Sequence, residues 1–115
     1  MRIDVQARGF SLTHALQEAV EAEVFHCEAR CPDVLAGVRV RLFDTNGPRG
    51  GNDKVCLIQA SLRGRRESVV ASHVDADLYR AIAGAFAKVG RGTRSVLGRS
   101  VRRRGSDAWL DAVGP

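Results

Sequence analysis

The sequence predicts an α+β domain in two layers, a four-stranded sheet with two helices on one face, and three observations predict it. Four segments alternate apolar and polar residues with the period of two that a half-buried strand requires. Two others repeat apolar residues every three or four positions, as a helix packed on one side does. Their order is β-α-β-β-β-α, which lets both helices cover the same sheet face. A chain of 115 residues has room for one such domain and one core.

Arg2 to Arg8 opens the fold, with Ile3, Val5 and Ala7 on one face and Arg2, Asp4, Gln6 and Arg8 on the other. Gly9 ends this strand, and Ser11 or Thr13 is placed to cap a helix. Its stripe is Leu12, Ala15, Leu16, Ala19, Val20 and Cys27, with Glu18, Glu21 and Glu28 opposite. Glu23 interrupts the stripe and is expected at its edge; Pro32 stops the helix.

Val38, Val40 and Leu42 alternate with Arg39, Arg41 and Phe43 in a second strand. Residues 44–54 are too rich in Gly, Pro and Asn for a regular element. They lack the Gly-Lys-Ser/Thr ending of a phosphate loop and the acidic ladder of a calcium loop, so a long hairpin connection is expected. Cys56, Ile58, Ala60 and Leu62 line one face of a third strand over 55–63. Arg63 to Arg66 makes a turn into a fourth strand, Glu67 to Val74.

Asp75 or Asp77 caps the second helix, where a carboxylate also complements the helix dipole. Leu78, Ile82, Ala85, Phe86, Val89 and Val96 form its buried stripe, and Arg80, Arg91 and Arg94 fall opposite. Gly84, Gly90, Gly92 and Gly98 each cost about 1 kcal/mol against Ala in a helix. The half beyond Val89 is therefore expected to be helical but prone to fraying. The domain is expected to span 1–99, followed by a basic, flexible tail at 100–115 that carries Trp109.

Composition narrows the function. Aromatic residues are 5% of the chain, so the core is aliphatic. No secretory signal is read at the N-terminus and no apolar run approaches a membrane span, so a soluble, cytoplasmic protein without a membrane partner is expected. Cys27, Cys31 and Cys56 are an odd number, and reduced thiols are the expectation. His26, Cys27, Cys31 and His73 are metal-ligand types, but no second pair completes a tetrahedral site. No metal, cofactor, small-molecule substrate or catalytic residue is expected, and the thiol or metal enzyme that Cys27, Cys31 and Cys56 would make is the weaker reading.

Charge is segregated along the chain. Residues 1–60 carry seven basic and eight acidic side chains, and residues 61–115 eleven and five. From Arg80 to Arg104 there are eight basic residues and no acidic one. Such a run suits a polyanion, because cations gain affinity by releasing counterions from phosphates. The alternative is a solvated helix face.

Three sequence features resemble the short form of the ribosome hibernation promoting factors, also described as ribosome-associated inhibitors. They are Leu12-Thr13-x-Ala15-Leu16-x-x-x-Val20, the run from Val74 to Ile82 containing Asp77-Leu78-Tyr79-Arg80-Ala81, and the loop from Asp44 to Cys56 with Asn46-Gly47, Arg49, Gly50-Gly51 and Asp53-Lys54. The resemblance covers about residues 1–99. It implies a domain similar to double-stranded-RNA-binding domains that binds the small ribosomal subunit, over the mRNA channel and tRNA sites, and preserves idle ribosomes under stress. It implies neither enzyme activity nor cofactor. Glycines at 90 and 92 depart from the family pattern, and no second, dimerising domain is read, so a monomer is expected when free.

The candidate RNA-binding residues follow. Arg80, Lys88, Arg91, Arg94 and Arg99 form the basic side of the second helix, where a guanidinium can grip phosphate with two hydrogen bonds. Arg63, Arg65 and Arg66 cluster in a turn, and Arg8, Arg39 and Arg41 project from the sheet face away from the helices. The competing function is an interaction module that keeps the fold but binds a protein or signalling partner instead of rRNA.

Overall fold

The computed structural model describes residues 1–45 and 53–113, with side chains through Gly98. Its order is the expected one: β1 (Arg2–Arg8), α1 (His14–Arg30), β2 (Leu35–Asp44), β3 (Lys54–Leu62), β4 (Ser68–Asp75) and α2 (Leu78–Val113). The strands lie side by side in sequence order. β1 and β2 are parallel, which requires a crossover, and α1 is that crossover. β2, β3 and β4 run antiparallel, with Val40 opposite Ile58 and Cys56 opposite His73.

Val38, Val40, Leu42, Cys56, Ile58, Ala60, Leu62 and Val69 are buried on the sheet's inner face, under Leu16 and Val20 of α1 and Ile82, Phe86 and Val89 of α2. Among the described residues nothing covers the other sheet face, where Arg39, Leu57, Gln59, Val70 and Ser72 are exposed.

Thr13, not Ser11, caps α1: its Oγ1 accepts the Leu16 N–H at 3.2 Å. The helix therefore begins at His14, which leaves Leu12 outside it and turns Ala15 to solvent. Val24, one turn beyond Val20, completes the buried face that the sequence stripe had passed over. Cys31 ends the helix, its N–H donating to the Cys27 carbonyl before Pro32. Glu28 then accepts the backbone N–H of Asp33, which holds φ +61°.

Asp77 caps α2, accepting the Tyr79 N–H at 3.0 Å, while Asp75 accepts the N–H of Asp77. Two of the glycines that weaken α2 by propensity have a packing reason. A Cβ on Gly84 would fall within the His73 imidazole, and one on Gly92 would lie 2.6 Å from Val69 Cγ1. These glycines let α2 settle onto β4, and the helix continues through them. The backbone of α2 runs on through the segment expected as a tail, to Val113, while side chains beyond Gly98, that of Arg99 included, lie outside the described residues.

Residues 46–52 of the β2–β3 connection, including Arg49, also lie outside the described residues. At its base Thr45 donates through N–H and Oγ1 to the Asp53 carbonyl. Lys54 Nζ bridges the carboxylates of Asp53 at 2.9 Å and Asp44 at 3.1 Å.

Candidate nucleic-acid interface

Arg80, Arg91 and Arg94 are exposed on the side of α2 opposite Ile82, Phe86 and Val89. A helix advances 100° per residue, and the buried residues all lie toward the sheet, so Arg80 and Arg91 stand on the solvent side and Arg94 beside them, turned toward α1. Arg80 stands at the N-terminal end, 3.9 Å from Asp77. Arg91 and Arg94 lie roughly 20 Å further along at 1.5 Å per residue.

Lys88 sits on the β4 side of the same helix, and its Nζ donates to the Ser72 carbonyl at 2.8 Å. It thereby covers a polar group of an edge strand, a usual task for lysine at a sheet edge.

The β3–β4 turn brings a second basic group to the Arg91 end. Gly92 packs on Val69 near the start of β4, so the turn before that strand lies at this end of α2. Within it the Arg63 N–H donates to the Val34 carbonyl at 2.7 Å and the Arg65 N–H to the Leu62 carbonyl at 3.2 Å. Gly64, at φ +72°, allows the reversal. Arg63 and Arg66 are exposed and Arg65 half-buried.

Arg8, Arg39 and Arg41 project from the open sheet face, as their strand registers require. Arg41 is partly occupied, reaching Asp4 Oδ2 at 3.4 Å and the Val40 carbonyl at 3.2 Å. Beside Arg39 a shallow groove runs over Gly37, with Arg2, Asp4 and Gln59 in its lining. The β3–β4 half of this face is apolar: Leu57, Val70 and Val74 are exposed there, Val70 by 63%. The candidate residues thus divide between two opposite faces, and the helix face joins the turn.

Arg30, in the last turn of α1, was not singled out by sequence and faces Arg94 across a cleft between the helices. It is isolated among the acidic residues of its own helix, and only the packing of the two helices pairs it with Arg94. Cys27 lines the same cleft; burial, then the Glu23 carboxylate, raises its thiol pKa. Among the described residues no three His, Cys, Asp or Glu side chains gather into a metal site, and no helix is long and apolar enough to cross a membrane.

The family model described as Sigma 54 modulation protein / S30EA ribosomal protein matches residues 3–100. The chain belongs to that family. No curated protein sequence matches it significantly. Among solved structures, this family member is similar to a ribosomal subunit interface protein from Coxiella burnetii, with 17% identity and a TM-score of 0.70 over 85% of this chain and 99% of that one. It is also similar to the Protein Y N-terminal domain of Thermus thermophilus, with 23% identity and a TM-score of 0.66 over 83% of this chain and 94% of that one. At these identities the likeness is one of fold, and it covers the β-α-β-β-β-α unit.

Proposed function

We propose that this protein binds the small ribosomal subunit through its rRNA, over the mRNA and tRNA sites, and keeps idle ribosomes silent under stress. It acts in the cytoplasm as a monomer, without catalysis or cofactor. The observation that carries the reading is the basic surface of Arg80, Arg91 and Arg94 on α2, continued by the Arg63–Arg66 turn, in a member of a ribosome-associated family. Arginines can bridge phosphates and stack on unpaired bases, which suits folded rRNA. The sheet-face arginines form a second, separate basic surface.

Co-sedimentation with purified small subunits tests this directly. Binding at low salt should weaken steeply as salt rises, each neutralised phosphate adding about −0.9 (duplex) or −0.7 (single strand) to the log–log slope. Absence of association at low salt, or association indifferent to salt, overturns it. The exposed Leu57, Val70 and Val74 favour the second reading, a module docking a protein through its sheet. Salt-independent association with a ribosome-free partner, lost in Val70→Lys, would favour that one.

A further inference from the structure

Gly90 lacks the reason that explains its neighbours. Gly84 and Gly92 are held small by His73 and Val69, but a Cβ on Gly90 would meet nothing nearer than Arg94 Nη1 at 3.8 Å. Glycine inside a helix is destabilising, and no packing contact requires it here. Its missing side chain leaves open the cleft between the last turns of α1 and the middle of α2, a space of about 220 Å³.

Three further features of this cleft point to an occupant. Its apolar wall is Leu35, Phe86, Ala83 and Ala87. Thr93 also lines it, only 4% exposed, with Oγ1 shielded from solvent and without a hydrogen-bond partner. A threonine in a helix has two favoured χ1 rotamers, so rotation can present this hydroxyl to a ligand. At the rim stand Arg30 and Arg94, neither in an ion pair among the described residues. Both act electrostatically on the Cys27 thiol, so their charges converge on one region.

We infer that this cleft binds a single nucleotide, its phosphate between Arg30 and Arg94 and its base over Ala87 and Gly90, toward the Thr93 hydroxyl. A planar body suits a slot walled by small side chains. An aliphatic acid would satisfy the arginines but leave Thr93 unmet, whereas a base carries polar edges for it. Glu23 on the rim accepts an exocyclic amine, so adenine is the probe of choice. The nucleotide is either free in solution or an unpaired residue of an RNA chain, and the two sources present the same groups. The inference does not depend on the ribosomal reading, although Arg94 takes part in both.

Cys27 supplies the readout. Its alkylation by N-ethylmaleimide, followed by mass spectrometry, should slow when adenosine monophosphate fills the cleft of the wild-type protein, and should not slow in Gly90→Leu. Thr93→Val, of similar shape without the hydroxyl, should weaken protection about fivefold, the worth of one hydrogen bond, and serves if Gly90→Leu folds poorly. Protection by adenosine monophosphate assigns a free nucleotide; protection only by a single-stranded hexa-adenylate assigns an RNA residue. The inference is overturned if neither probe protects, if inorganic phosphate protects equally well, or if both variants are protected like the wild type. Wild-type protein that fails to co-sediment with small subunits yet is protected would sink the ribosomal reading alone.

Discussion

Gly84 of α2 stands so close to His73 of β4 that a methyl group in its place would fall inside the imidazole. One turn on, Lys88 donates to the Ser72 carbonyl, and one further turn on Gly92 meets Val69. The spacing of four places all three on one line of the helix. Small residues there set how near the helix lies to the edge strand.

Gly84→Ala should therefore destabilise the protein although alanine is the better helix former. Overpacking typically costs 1–3 kcal/mol, about the range expected here. Gly90→Ala, with open space at its Cβ, should stabilise by about 1 kcal/mol. Urea denaturation of the two variants checks this, and stabilisation by both would show that propensity alone governs the helix.

That contrast marks what was legible in the sequence. Strand alternation placed Cys56, Ile58, Ala60 and Leu62 inward, because a period of two is imposed by each strand alone. The second helix's stripe was legible for the same reason. The glycines were not: a close approach of helix to strand is a tertiary fact, and sequence shows only the propensity cost. Val24 fits the same stripe as Leu16 and Val20, four residues further on, and helical period alone places it inward. At the site, the exposed arginines of α2 followed from helical period, but Arg30 facing Arg94 follows from how two helices pack.

Neutralising the solvent side of α2 separates binding from stability. Arg80→Gln, Arg91→Gln, Arg94→Gln should melt near the wild-type temperature, since exposed substitutions away from special features stay within about ±0.5 kcal/mol each. Its affinity for small subunits should fall, with the salt slope flattening by roughly one unit per lost contact. Ile82→Ala should do the reverse, costing roughly 2–5 kcal/mol through a core cavity. Unchanged ribosome affinity in the triple variant would move the rRNA contact to the Arg39 and Arg41 face.

Burial pushes the Cys56 thiol up from 9.0 to about 12. The unfolded chain then releases this proton near pH 9, while the folded protein holds it to about pH 12. Above pH 9 the unfolded state binds fewer protons, so stability is complete below that pH and declines as pH rises toward 12. Lys54, held charged by Asp53 and Asp44, has a raised pKa as well and adds to the decline in the same direction. Denaturation at pH 7, 9 and 10.5 should show it, and Cys56→Ala should flatten the curve. At pH 8 Cys56 should resist alkylation until the protein unfolds, because the thiolate is the reactive form; fast labelling in the native state would show that the core opens.

Lys88 makes the sharpest comparison between charge and position. It lies on the same helix as Arg91, three residues away, and carries the same charge. Its Nζ, however, is turned to the Ser72 carbonyl, whereas Arg91 is turned to solvent. A cation engaged with an edge strand has fewer donors left for phosphate, and moving it away would expose that carbonyl to strand pairing. Lys88→Met should therefore leave the ribosome salt slope nearly unchanged and lower stability by about 1 kcal/mol, the net worth of one hydrogen bond. Arg91→Gln should flatten the slope by roughly one unit and leave stability alone. If Lys88→Met flattens the slope as much as Arg91→Gln does, the ammonium leaves Ser72 on binding and the basic surface reaches round to the β4 edge.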